Sequence, residues 1–377
     1  MKHLFTFFFA FLCISTGQFP ATDAADDIQP AVDKAAAFLR RTQNETGYWG
    51  TAVRGLPNTP RLGIGPTTVI LAGLLRSGIK ADDPMIVKGL AFLEKATRED
   101  GGVYTPEGFF QNYETCCAVM CFAAADEALK KAGLPPKYKD LLAKAQKYLL
   151  KQQYTEERNV NKDEPKYGGV GYGGDTRPDL SNTQFFLDAL VATGKDKDDP
   201  AIQKALTFVS RCQNLESEHN MLPLAGAVND GGFVYVPTYE EPKGRDAQGG
   251  LRSYASMTYA GLKSMIYAGL TKDDKRVKAA YDWISKNYDV EKHPGREYSG
   301  LFYYYQTMAK ALNVLQLQDI TTPDGTKHNW RGDLVKQLLA AQQEDGSWVN
   351  DRNGQYMEND PHLVTGFALL VLADCRK

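Results

Sequence analysis

Along this chain apolar residues recur at three- and four-residue spacing in one segment after another, which is the helical period. The segments are of two kinds. One kind keeps Lys and Glu along one face, as in the stretches that follow Asp83, Asp199 and Asp274. The other is apolar nearly all round: TTVILAGLLRSG from Thr67, TCCAVMCFAAADEAL from Thr115, NTQFFLDALVATG from Asn182, SMTYAGLKSMIYAG from Ser256, LFYYYQTMAKALNVL from Leu301 and HLVTGFALLVLADC from His362. A helix that is apolar on all sides belongs inside, and one with a charged face belongs outside. The two kinds alternate, so the pattern predicts six helix pairs. No stretch alternates with the period of a strand for long; FVYVPTY is short and interrupted by Pro237.

The turns between pairs repeat as well. SGIKADDP from Ser77, TGKDKDDP from Thr193 and AGLTKDDK from Ala268 each end a helix with Gly and cap the next with an Asp pair. Within pairs the loops are glycine-containing, as in EDGGVY at 99–104 and NDGGFVY at 229–235. Two loops near opposite ends of the chain share the form Q-x-x-x-G-x-W: QNETGYW at 43–49 and QQEDGSW at 342–348. Bending six pairs into a closed ring buries all the inner helices and leaves no exposed end repeat, so the first and last repeats touch. Trp49 and Trp348 are then expected in equivalent places of neighbouring repeats.

The Q-x-x-x-G-x-W pattern at the end of an outer helix resembles the QW repeat of squalene–hopene cyclases and related terpenoid cyclases. On these residues the chain is similar to members of the prenyltransferase and squalene oxidase repeat superfamily, over roughly residues 28–375. The resemblance implies an all-α fold, an (α/α)6 toroid of six inner and six outer helices. Repeat two has Thr97 and Val103 where Gln and Trp would stand.

The resemblance implies two chemistries, and the residues fit neither fully. Cyclases use a D-x-D-D segment ahead of an inner helix, its middle Asp serving as proton donor. A literal D-x-D-D occurs at Asp196–Asp199, but in a turn before an outer helix beside Pro200, where Asp residues cap. The aligned segment is Asp179-Leu180-Ser181-Asn182, with Ser181 in the donor's place. Asp179 is the one catalytic candidate, and it is expected to cap the helix and stay ionised, its pKa lowered by backbone N–H groups. Prenyltransferases hold zinc through Asp, Cys and His; Arg252 and Tyr254 stand at the first two positions and only His362 matches, so no metal site and no cofactor are expected. Tyr172, Asn182, Tyr254, Tyr303 and His362 are the candidate ligand-binding residues. Tyr259, Phe302, Tyr304 and Tyr305 either join them in lining the ring's cavity or pack with hydroxyls at its rim.

Other signals are weaker. Gly169 to Gly174 satisfies G-x-G-x-x-G, but no strand precedes it and Pro178 follows. Cys117 and Cys121 alternate with Ala, Val and Phe like small core residues. The net charge of −2 offers no field to attract nucleic acid or an anionic membrane. The basic start and the run LFTFFFAFLCIS read as a signal peptide within residues 1–24, ahead of a single toroid domain over 25–377. No later apolar run reaches the roughly 18 residues of a membrane span. The protein is thus expected to be exported, periplasmic or secreted, without a metal. Three readings remain: a toroid binding an apolar small molecule or an extracytoplasmic peptide or protein, a divergent polyprenyl cyclase, and a secreted α/α-barrel polysaccharide lyase or hydrolase. The third needs an acidic and basic set for which Glu114, Tyr172, Arg177 and Asp179 are the candidates. The sequence leaves the oligomeric state open.

Overall fold

A computed structural model describes residues 24–50, 63–105, 109–238 and 250–376. The signal-peptide reading falls on residues 1–24 and lies almost wholly outside them. Within the described residues the chain runs α1 (Ala24–Thr42), α2 (Ile64–Arg76), α3 (Pro84–Lys95), α4 (Gln111–Lys131), α5 (Lys139–Leu150), α6 (Leu180–Ala192) and α7 (Pro200–Arg211). It continues with a single turn α8 (Ala225–Val228), then α9 (Ala255–Tyr267), α10 (Lys275–Lys286), α11 (Leu301–Val314), α12 (Trp330–Ala341) and α13 (Pro361–Cys375). A two-residue hairpin, β1 (Ile320–Thr321) with β2 (Lys327–His328), stands before α12.

The helices sort as their sequences dictate. In α2 every residue from Ile64 to Leu75 is buried, and in α13 every residue from Leu363 to Cys375. In α7 burial is confined largely to Ile202, Ala205, Phe208, Val209 and Ser210, on the face turned inward. The inner helices α2, α4, α6, α9, α11 and α13 each pack on the next, and α13 packs back on α2, so the ring is closed. The outer starts follow the expected chemistry: Asp83, Asp199 and Asp274 accept from the N–H groups of Met85, Ala201 and Arg276 at 2.9, 2.9 and 2.8 Å.

The paired Q-x-x-x-G-x-W loops weld neighbouring repeats. Gln43 Nε2 donates to the carbonyl of Gly47 at 3.0 Å and to that of Met85, in the first turn of the next outer helix, at 2.9 Å. Gln342 does the same with Gly346 and Ala31, which ties the last outer loop to the first outer helix and closes the ring. Trp49 and Trp348 are buried and equivalent: their indoles donate to Leu39 and Leu338, ten residues back. Their backbone N–H groups donate to Thr67 and Thr365 of the following inner helices.

Two further repeats use the same device in a form that the spacing conceals. Gln153 bridges Gly168 and Ala201, and Gln213 bridges Gly231 and Arg276, all at 2.8–2.9 Å. The step from Gln to Gly is 15 and 18 residues there instead of 4, because excursions are inserted between them. Val170 and Phe233 occupy the tryptophan's place and donate their N–H to Thr183 and Thr258.

Two chambers open along the ring axis, at opposite ends of the inner helices. Phe185 and Phe367 line both and form the partition between them.

Candidate functional site

The chamber at the N-terminal ends of the inner helices has a volume of about 510 Å³. Its wall is a continuous run of rings. Phe110 meets Tyr172 at 5.1 Å, Tyr172 meets Tyr113 at 6.4 Å, and Tyr113 meets Phe185 at 5.2 Å, all edge-on. Tyr303 continues the wall, 6.3 Å from Phe185 and 6.2 Å from Phe367. Such contacts hold rings rigidly and present both apolar faces and electron-rich surfaces to whatever enters. At the mouth Tyr356 is two-thirds exposed, with φ +58°, and Met357 follows at +65°. Two successive bulky residues in the left-handed region are a strained arrangement of the kind found at ligand clamps.

Polar groups enter this wall at few places. Ser181, in the position of the cyclase proton donor, shares a 2.8 Å hydrogen bond with the Tyr303 hydroxyl. His293 is fixed as a neutral ring: Ser256 N–H donates to Nε2 at 3.1 Å, and Nδ1 lies 2.7 Å from the Ser299 carbonyl oxygen, so it carries the proton. Burial pushes its pKa down to about 4. With both nitrogens engaged it holds the loop 293–299 rather than offering a base. Arg296, on that loop, lies 4.1 Å over the Tyr254 ring. Glu358 accepts from Tyr303 N–H at 2.9 Å and from Asn350 at 2.7 Å, at the start of α11.

Two further carboxyl groups carry raised pKa values. Glu114, in the first turn of α4, lines the chamber and accepts a long 3.3 Å bond from Thr105 N–H. Burial raises its pKa to about 7, against the opposing pull of that bond. Asp179 caps α6, accepting Asn182 N–H at 2.8 Å and the Asn182 side-chain amide at 2.8 Å. The cap is as expected; the lowered pKa is not. Asp179 is only 2% exposed, and burial outweighs the bonds from Asn182 and Tyr235 and the charge of Arg177, so its pKa rises to about 6.

Glu114 and Asp179 should therefore each contribute less stability as the solution is made less acid, opposite in sign to His293, whose buried neutral ring is favoured as pH rises. Glu114 has its folded pKa above its unfolded one, so its contribution is fully present below about pH 4.5 and is lost as pH rises through 7. The loss from Glu114 alone between about pH 5 and pH 7 should be roughly 2 kcal/mol. Glu114→Gln, which cannot ionise, should flatten that slope in urea titrations repeated across the range; an unchanged slope would contradict the burial of Glu114. At Asp179 the cap and the charge separate. Asp179→Asn keeps a capping oxygen, whereas Asp179→Ala should cost about 1 kcal/mol at pH 5.

Of the residues the sequence singled out, Tyr172, Tyr254 and Tyr303 line the chamber. Asp179 and Asn182 are paired beneath the wall and do not line it. His362 stands apart: its ring stacks on Phe38 of α1 at 5.5 Å, with Nδ1 3.2 Å from Asp360, because α13 turns this position outward to the outer layer. Tyr304 and Tyr305 are packing residues whose hydroxyls donate to the carbonyls of Asp289 and Val290, and Tyr259 packs on Tyr304. The lyase-type candidates do converge: Glu114, Tyr172 and Arg177 share the chamber, with Asp179 next to it. Tyr113, Phe185, His293, Arg296 and Glu358 escaped the sequence reading. Phe185 carried a signal, lying one helical turn after Ser181. Among the described residues no group of three His, Cys, Asp or Glu side chains is placed to hold a metal ion.

No protein-family model and no curated protein matches the chain. Solved structures do. The type II terpene cyclase MstE from Scytonema superposes with TM-score 0.53 at 12% identity, covering 92% of this chain and 98% of that one. A variant of MstE in complex with geranylgeranyl dihydroxybenzoate gives 0.52 at 13%, covering 94% and 99%. A glycosidase variant in complex with glucose gives 0.52 at 15%, covering 94% and 98%. At these identities the likeness concerns the backbone alone: the chain has the α/α-toroid fold that these cyclases and glycosidases share.

Proposed function

We propose that this protein is a ligand-binding toroid whose chamber at the N-terminal ends of the inner helices receives a small molecule with an apolar body. The observation that carries this reading is the unbroken ring wall from Phe110 to Phe367, closed below by the partition and entered by few polar groups. A cavity of about 510 Å³ with this lining is in the size range of small-molecule sites. The cyclase-type acid is absent from its usual place, where Ser181 is bonded to Tyr303. The toroid with a geranylgeranyl substrate lends support by fold, not by residues. Export to the periplasm or beyond is part of the proposal and rests on residues 1–24.

Geranylgeraniol, an uncharged polyprenyl alcohol, is a suitable probe. Calorimetric titration of the mature protein should show one site, and Ser181→Trp, which projects an indole into the chamber, should abolish it. Unchanged binding to that variant, with its helical spectrum intact, would refute the assignment.

A second reading is favoured by one observation: Glu114, protonated for much of the time near neutral pH, shares the chamber with Tyr172 and Arg177. A buried carboxylic acid with a raised pKa is equipped for general acid catalysis on a sugar. Under this reading the protein releases reducing ends from a polysaccharide panel and Glu114→Gln stops it. Under the first reading neither protein does so.

A further inference from the structure

The chamber at the other end of the axis is larger, about 960 Å³, and its chemistry differs. It opens among the C-terminal halves of α2, α4, α6, α11 and α13. Its inner wall is apolar: Val69, Ala72, Ala124, Val191 and Leu370 surround the far side of Phe185 and Phe367. Its floor is charged. Asp188 of α6, 3% exposed, meets Lys263 Nζ at 2.7 Å and Lys310 Nζ at 2.9 Å. Lys263 is wholly buried, and its ammonium also donates to Gln184. Beside them Arg76 is paired with Asp374.

The charges of this floor do not cancel. Lys263, Lys310 and Arg76 are three cations; Asp188 and Asp374 are two carboxylates; the remainder is +1. The rim residues Lys80, Asp82, Glu127 and Lys131 sum to zero and leave that excess in place. An unbalanced charge in low dielectric is unfavourable unless a counter-charge joins it. Lys310 has the geometry to receive one. Its ammonium has three donors; one faces Asp188, one faces the Met120 sulfur at 3.6 Å, a weak acceptor, and its side chain keeps 17% exposure to the chamber. An under-used ammonium that faces an apolar chamber marks a subsite for a hydrogen-bond acceptor.

We infer that this second chamber is a binding site for an amphipathic anion, a carboxylate with an aliphatic tail, its head on Lys310 and its tail against Phe185, Phe367 and Leu370. The site is independent of the ring-walled chamber, from which the partition separates it. An anion there completes the Lys263–Asp188–Lys310 set and makes it neutral.

Dodecanoate titrated into the full mature chain tests this. One equivalent should bind, with affinity at least tenfold above that for dodecyltrimethylammonium, which has the same tail and the opposite charge. Lys310→Met should lose the preference for the anion, Lys310→Arg should keep it, and Ser181→Trp, which fills the other chamber, should leave it unchanged. If Lys310→Met does not fold, Ala124→Trp, which fills the apolar wall without touching the charges, should remove binding of both probes. No binding of dodecanoate to the parent, equal affinity for both probes, or loss of binding in Ser181→Trp would each overturn the inference.

Discussion

Asp188→Ala should destabilise the protein by about 4 kcal/mol, the largest effect expected of any single side chain described above. Asp188 is in contact with two lysine ammonium groups, one of them wholly buried. Removing it leaves Lys263 with no counter-ion. Burial already holds the Lys263 pKa down to about 8, against the pull of Asp188. Without that carboxylate the ammonium has to shed its proton or remain charged in an apolar interior, and both are unfavourable. The control is a double change, Asp188→Leu with Lys263→Met, which removes a charge of each sign and leaves Lys310 near the chamber. It should recover much of the loss, since a buried ion pair is often replaceable by apolar residues at little net cost. Urea titration at pH 7 reads both; a loss below about 1 kcal/mol for Asp188→Ala would mean the cluster is solvated.

Gly168→Ala should cost about 3 kcal/mol. Gly168 has φ +85°, and a Cβ placed on it would lie 1.8 Å from the carbonyl oxygen of Lys204 in the next outer helix. The methyl group therefore meets two obstacles, the left-handed backbone and a fixed backbone atom. Gly194 separates them: its φ is +87°, and nothing lies within 4 Å of its would-be Cβ. Gly194→Ala should cost only about 1 kcal/mol, the backbone part alone. Equal losses at the two positions would show that the loop at Gly168 stands away from α7, and that the Gln153 bridge to Ala201 does not weld these repeats.

Gly168 also shows what the sequence could and could not disclose. Helix pairs, their inner and outer assignment and the closed ring were legible, because 3.6-residue periodicity and the Asp-pair caps at Asp83, Asp199 and Asp274 are local signals. The repeat was legible where Gln and Gly stand four apart. It was hidden at Gln153 and Gln213, whose glycines follow after inserted excursions; hydrogen bonding survives an insertion that a fixed spacing does not.

The chamber was legible only in part. Tyr254 and Tyr303 sit at the heads of inner helices, where ring geometry points them inward, and Tyr172 reaches the chamber from the loop ahead of α6. His293, Arg296 and Glu358 come from irregular loops, which carry no period to read. His362 heads an inner helix too, yet α13 directs it at Phe38, so the position of a residue in the repeat did not determine its side. The raised pKa of Asp179 depended on depth, which the capping pattern does not report. The second chamber did leave a trace. Asp188, Lys263 and Lys310 are each the only charged residue of their helix, on three successive inner helices that otherwise have no reason to carry one.

The most direct test of the ligand-binding account is a crystal structure of the mature protein grown with geranylgeraniol. The account predicts the chain of the alcohol within the N-terminal chamber, in van der Waals contact with Phe185, Tyr303 and Phe367, and its hydroxyl toward Glu114 or Arg177. The alcohol found only outside that chamber, with the ring wall collapsed onto itself or filled by ordered water, would contradict it.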